Sequence, residues 1–197
     1  MGMLRKAGME MMHTTIIIFI LLFLFDTAFA EPRLRPLKWA RPVIDTKVEN
    51  FHKISDNLYR SAQPDAEGMR ELASYGIGTI ISLRNFHDDE DEAEGLSPDL
   101  KQVKMNTWDI REEQVIRALK LIRDSKKPVL VHCMHGADRT GLICAMSRIV
   151  FENWSKAQAL DELVNGGYGY HSIWKNIIKY IDNADINKVK TGLKEGG

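Results

Sequence analysis

Two cysteines in 197 residues, Cys133 and Cys144, are too few for a disulfide framework. Net charge is missing too. The 27 Lys and Arg residues are matched by 27 Asp and Glu, so nothing in the balance suggests nucleic-acid binding or broad adhesion to a membrane surface. No internal repeat is visible. The apolar run Ile16 to Phe25 has ten residues, short of the roughly 18 or more that cross a bilayer.

That run is informative for another reason. Arg5 and Lys6 precede it, and Ala28-Phe29-Ala30 follows, the order of basic, apolar and small-residue regions in a secretory signal peptide. Cleavage after Ala30 is expected, with an uncleaved anchor as the alternative. Residues 1–30 are therefore read as a signal of bacterial style, which places the protein in the periplasm or outside the cell, without stable membrane insertion once cleaved. About 167 residues remain, enough for one compact domain. Residues 31–50 carry Pro32, Pro36 and Pro42 among basic residues and read as an arm. The domain proper is assigned to 51–185, and 186–197 to a polar, flexible tail.

Ten residues carry most of the chemistry: His132-Cys133-Met134-His135-Gly136-Ala137-Asp138-Arg139-Thr140-Gly141. Before them, Pro128-Val129-Leu130-Val131 reads as a short buried strand. After them, Leu142, Ala145, Met146, Ile149 and Val150 recur at helical spacing. The loop thus ends at a helix N-terminus, where free amides and the positive dipole end hold anions. Converging amides also favour the thiolate of Cys133 over the thiol. The planar fork of Arg139 suits two phosphoryl oxygens. Gly136 lets the backbone turn inward, and Thr140 sets a hydroxyl beside the sulfur.

Cys133 to Arg139 resembles the C-x5-R signature of the cysteine-based protein tyrosine phosphatases, and His132 with Thr140-Gly141 resembles its dual-specificity form. The resemblance extends to Asn57-Leu58-Tyr59-Arg60-Ser61-Ala62-Gln63-Pro64, to Met146-Ser147-Arg148-Ile149-Val150, to Trp154-Ser155-Lys156 and to Gly166-Gly167-Tyr168-Gly169. In these it is similar to exported bacterial phosphatases of the TpbA-like kind. What it implies is attack by Cys133 on phosphorus, hydrolysis of the resulting cysteinyl-phosphate, and no cofactor or metal. It also implies an upstream Asp that protonates the leaving oxygen. Asp109, in Met105-Asn106-Thr107-Trp108-Asp109-Ile110, is the candidate by position. Glu112 and Glu113 are the alternatives, although carboxylates in a first helical turn usually serve the dipole.

The expected fold is α/β, with a mainly parallel sheet flanked by helices. Helices are expected from Asp65 to about Tyr75, from Glu112 to Lys127, after the Ser155 and Gln158 capping box, and along a stripe of Ile173, Trp174, Ile177, Ile178 and Ile181. Strands are expected at 77–84 and near 102–105. Catalytic roles are assigned to Cys133, Arg139 and Asp109, and substrate contact to Met134, His135, Gly136, Ala137, Asp138 and Thr140. Arg60 and Ser61 are read as packing or turn residues. Trp108 either anchors the acid loop or packs, and the acidic run 88–94 is read as a solvated loop.

The substrate expected is a phosphotyrosine protein, handled by a monomer. An inositol polyphosphate needs several cations, and positions 134–138 supply neither lysine nor arginine, while Asp138 adds repulsion. Other readings are a phosphoinositide or inositol-phosphate phosphatase, a module that binds phosphoproteins without turnover, and a rhodanese-like sulfur transferase. Cys144 reads as a small buried residue, with a regulatory disulfide to Cys133 as the alternative.

Overall fold

The computed structural model describes residues 34–195. The chain divides into two compact units, Met1–Pro36 and Leu37–Gly197. The first, with the expected signal peptide and its cleavage site, lies almost wholly outside the described residues; the architecture below is that of the second.

Six strands form one mixed sheet: β1 (Arg41–Pro42), β2 (His52–Lys53), β3 (Leu58–Ser61), β4 (Thr79–Ser82), β5 (Asp99–Gln102) and β6 (Val129–His132), in the order β1-β2-β3-β6-β4-β5. The pairs β3–β6, β6–β4 and β4–β5 are parallel, and β1 and β2 add an antiparallel edge. Register brings Ser61 and Ser82 opposite His132, and Gln102 opposite Ser82. Four parallel strands therefore end on one line. The loops that follow them share an edge of the sheet, where α/β folds place their sites.

Six helices accompany the sheet among the described residues: α1 (Ala66–Ser74), α2 (Glu112–Asp124), α3 (Asp138–Phe151), α4 (Lys156–Asn165), α5 (Lys175–Asn183) and α6 (Ile186–Lys194). Strand alternation decides which side each covers. Val129, Val131 and Ile81 face a core shared with Val115, Leu119, Leu142, Met146, Leu163, Ile177 and Val189. Leu130, Ile80 and Tyr59 face the other way, onto Met69, Leu72, Val48 and Phe51. Helix α3 is buried almost all round because it lies between the sheet and other helices. The expected α/β fold with a mainly parallel sheet is what the chain adopts.

Local signals set several boundaries. Asp65 caps α1 by accepting the Gly68 N–H at 2.7 Å, and Ser155 with Gln158 closes the expected capping box of α4. Four expectations need correction. The residues assigned to a flexible tail form α6, because Asp185 caps it at the Lys188 N–H and Val189 and Leu193, one turn apart, are both buried. The arm enters the core from Trp39 onward, through Trp39, Ala40 and Val48. Strand β5 pairs earlier than Gln102 to Met105: its polar residues form a half-exposed edge, and the apolar Val103 and Met105 follow it. Ile173 lies before α5 and is exposed rather than part of its stripe.

A buried ion pair fastens the arm to the helices. Arg148 Nε donates to Glu162 at 3.0 Å and Nη1 to Glu152 at 2.7 Å, while Nη2 reaches the Lys38 carbonyl at 3.1 Å. Glu162 in turn accepts the Ala40 N–H and the Tyr168 hydroxyl. Burial opposes the Arg148 charge, yet Glu162 and then Glu152 hold its guanidinium above the ordinary value. Glu162→Ala strips a buried cation and two donors of their acceptor, so a loss of about 3–5 kcal/mol in stability is expected from urea unfolding at neutral pH.

Candidate active site

Between β6 and α3 the chain turns through residues 133–137 in a tight loop. Gly136 has φ +67°, and a Cβ built there would meet the Ser61 carbonyl oxygen at 2.4 Å. Only glycine allows both the backbone sign and the close approach. The Gly136 carbonyl accepts from Arg60 Nη2 at 2.6 Å, and the Arg60 guanidinium lies 3.6 Å from the Tyr168 ring centroid. On the outer side, the Asn50 amide donates to the His135 carbonyl at 2.9 Å. Gln63 N–H donates to the Met134 carbonyl at 3.2 Å. The loop's carbonyls are thus drawn outward. The N–H groups of residues 134–139 find no acceptor among the described residues, the condition for an anion nest at a helix start.

Cys133 lies within this turn, 2% exposed and free of any disulfide. Arg139, on the first turn of α3, donates through Nη1 to the carbonyls of Leu83 and Met105, both at 3.2 Å. Those carbonyls follow β4 and β5, so one amino group braces two loops and leaves the rest of the fork for a ligand. The Thr140 hydroxyl is buried without a partner, as a group kept for sulfur or a bound phosphoryl oxygen would be. Ala137 caps α3 and is buried, whereas Met134 and His135 are exposed.

Asp138 differs from expectation. Its carboxylate accepts the His171 N–H and pairs with His171 Nδ1, both at 2.9 Å, and it is largely buried. It braces the segment before α5, and its negative charge still reaches its neighbours, since the Tyr170 hydroxyl is pushed up by burial and then by Asp138. The argument against polyphosphates rests on that charge together with the missing cations at 134–138.

Asp109 stands on the loop after β5, about half exposed, with Arg111 Nε 2.9 Å from its Oδ2. The base of that loop is pinned: Asn85 donates to the Asn106 side chain at 2.8 Å, and Asn176 to the Thr107 carbonyl at 2.7 Å. Its tip is not. Trp108 neither packs nor anchors there, being 66% exposed. Glu112 and Glu113 begin α2, and Glu112 pairs with Lys188 of α6, a structural use.

One residue of the site was concealed in the acidic run. Asp89 is buried, not solvated; its Oδ2 meets His132 Nε2 at 2.8 Å and its Oδ1 accepts from Gln63 Nε2 at 2.9 Å. His132 and, through Gln63, Met134 are the two neighbours of Cys133, so Asp89 steadies both sides of the nucleophile. Five acids in a row, Asp88 to Glu92, offered no signal that the second points inward. His87 and Glu92 lie beside it, but both Asp89 oxygens are already engaged. Arg60 does pack, as expected, and in doing so sets the loop. Cys144 is buried and free, its thiol pushed up to about 11, first by burial, as the inert reading requires.

A thiol within a nest of free amides, faced by a braced arginine at the carboxyl edge of a parallel sheet, defines a cysteine-dependent phosphatase. The model of the tyrosine phosphatase family matches residues 46–191, and the chain belongs to that family as a protein tyrosine phosphatase of dual-specificity type. It is 33% identical over 162 residues to the dual specificity protein phosphatase TpbA of Pseudomonas aeruginosa strain UCBPP-PA14, covering 80% of this chain and 72% of that protein. The crystal structure of a cysteine-to-serine TpbA in complex with phosphotyrosine superimposes with a TM-score of 0.73 at 29% identity, covering 82% of this chain and 99% of that one. An inositol diphosphatase of Arabidopsis thaliana is 28% identical over 156 residues, covering 73% of this chain and 74% of that protein.

Burial alone would raise the Asp89 carboxyl, but His132, Gln63 and His87 together hold it below its ordinary 3.8. Its folded form gives up the proton more readily than the unfolded one. The stability it contributes is therefore complete above the unfolded value and lost as pH falls through the folded one. Asp89→Asn should cost about 1–3 kcal/mol at pH 7. The deficit should narrow as pH falls below about 4, where Asp89 of the unfolded chain takes up its proton before the folded one does, as urea melts across this range would read.

Proposed function

We propose that the protein is an exported phosphotyrosine phosphatase working through a cysteinyl-phosphate. The observation that carries the mechanism is the loop 133–139, with unengaged amides, a free Cys133 and Arg139 braced by two strand-end carbonyls. Cys133 Sγ attacks phosphorus in line with the departing tyrosyl oxygen. The P–O bond breaks as the S–P bond forms, and Asp109 gives its proton to that oxygen. In the second step Asp109 takes a proton from water as the water oxygen attacks phosphorus, and the sulfur leaves with its electron pair. The equatorial oxygens receive hydrogen bonds from the amides of 134–139 and from Arg139, charge stabilisation that suits a loose phosphoryl transition state.

Pinned base and exposed tip fit the acid loop's task. Asp109 has to leave Arg111 and turn to the substrate, and the part that must move is the part with fewest contacts. Phosphotyrosine is favoured over inositol phosphates because Met134, His135, Gly136, Ala137 and Asp138 bring no fixed cation beyond Arg139. The resemblance to TpbA, crystallised with phosphotyrosine, supports the same substrate. The similarity to an inositol diphosphatase makes inositol pyrophosphate the competitor to include.

Hydrolysis of a phosphotyrosine peptide, p-nitrophenyl phosphate and an inositol pyrophosphate by the reduced chain tests this. Activity on both aryl esters should vanish in Cys133→Ser. Asp109→Asn should lower kcat on phosphotyrosine by about 10²–10⁴-fold and on p-nitrophenyl phosphate much less, since that leaving group needs little protonation. Preference for the inositol ester would overturn the substrate, and binding without turnover would favour a non-catalytic module.

Export rests on Arg5, Lys6, the Ile16 to Phe25 run and Ala28-Phe29-Ala30. Sequencing the amino terminus of the protein from a bacterial periplasmic fraction should read Glu31 first. An intact Met1 in the cytoplasmic fraction is the contrary result.

A further inference from the structure

Four large apolar side chains stand in water on the loops of the catalytic edge: Phe86 at 93% exposure, Trp108 at 66%, Met134 at 52% and Ile173 at 77%. Each comes from a different segment. Phe86 follows β4, Trp108 follows β5, Met134 follows β6, and Ile173 precedes α5.

Hydrogen bonds hold these segments to one another. Asn85 and Asn106, next to Phe86 and close to Trp108, are bonded directly at 2.8 Å. Asn176, three residues beyond Ile173, holds the Thr107 carbonyl beside Trp108. Arg139, on the helical turn that follows the loop of Met134, ties the carbonyls of Leu83 and Met105. The four side chains thus rise from one hydrogen-bonded collar of loops at the catalytic edge. Exposed apolar groups gathered at one place, unlike scattered ones, mark a surface for recognition. The stretch beyond Phe86 is strongly acidic, with Asp88, Glu90, Asp91 and Glu94 all exposed.

Resting on the reading of the site as a phosphotyrosine phosphatase, we infer that this collar selects the substrate's flanks. It favours a phosphotyrosine with an apolar residue directly beside it and basic residues further out. The phosphoryl group enters the amide nest. The phenyl ring takes the water-exposed faces of Trp108 and Met134, the adjacent apolar side chain reaches beyond it to Phe86 and Ile173, and lysine or arginine lies against the acidic stretch. The same carboxylates oppose polyphosphates and anionic lipid headgroups, so charge complementarity picks a basic peptide over a membrane surface.

Two phosphotyrosine peptides test the inference, one with leucine flanking the phosphotyrosine and lysines outside, the other with serine flanking and glutamates outside. Kd is measured by fluorescence anisotropy on the Cys133→Ser chain, and kcat/KM on the active chain, with p-nitrophenyl phosphate as reference. The apolar-basic peptide should bind and react at least about tenfold better, the scale of one partly buried apolar side chain, with the gain in KM rather than kcat. Phe86→Ser with Ile173→Ser should erase most of that preference while p-nitrophenyl phosphate turnover and Tm stay unchanged. Equal affinity for the two peptides overturns the inference, as does a preference that survives the double substitution. Binding to anionic vesicles that disappears in Phe86→Ser overturns it in favour of a membrane face. Loss of p-nitrophenyl phosphate turnover by the unaltered chain would instead refute the phosphatase reading, and the binding arm still decides whether the collar discriminates.

Discussion

The close approach of Gly136 to the end of β3 is the contact on which the site depends. A positive φ at Gly136 and an adjacent Ser61 carbonyl leave no room for a side chain. The same turn sends the Gly136 carbonyl out to Arg60 and leaves the amides on the other side unengaged. Were the loop to relax, those carbonyls would lose their donors and the nest its charge. Arg60, stacked on Tyr168, carries that requirement back into the helical side of the domain, where Tyr168 holds Glu162 and Glu162 holds Arg148. The phosphate cradle and the central ion pair are therefore parts of one buried polar network, and such networks are stable only when nearly every member is satisfied.

A second set of bonds divides the site into rigid and movable parts. Asp89 and Gln63 secure the residues on either side of Cys133, and Arg139 secures the strand ends before the acid loop. The nucleophile and the amides are preorganised, which is where electrostatic stabilisation of a transition state is most effective. Asp109 and Trp108 stand on an exposed tip, where Asp109 pairs with Arg111 at the surface. In the reaction proposed above, the rigid part would hold the phosphoryl group and the exposed part would serve the leaving group. The two halves of the reaction ask for those opposite properties.

Much of this was legible beforehand because it is local. The run 128–131, the C-x5-R spacing, the Ser155 and Gln158 box and the periodicity of 112–124 each depend on residues within a turn or two of one another. Errors arose where a neighbour distant in sequence decided the outcome. Val189 and Leu193 form a helix because α2 offers an apolar face to cover. Asp138 gained a structural partner in His171, thirty-three positions away. Asp89 looked like its solvated neighbours until His132 was placed beside it.

By itself the sequence determined the family. A cysteine, a glycine and an arginine at fixed spacing between a strand and a helix admit few other uses, since the amide nest is built from backbone that those residues shape. It also determined the class of fold, through strand and helix periods. Tertiary structure alone decided which carboxylate serves which purpose. Asp89, Asp109 and Asp138 are identical side chains, two on loops and one at the start of α3, and their partners, His132, Arg111 and His171, make one a buried brace beside Cys133, leave one half exposed in a surface ion pair and tie one to the segment before α5. A side chain's role follows from its dielectric surroundings and its donors, and the folded chain supplies both from segments that the linear order keeps apart.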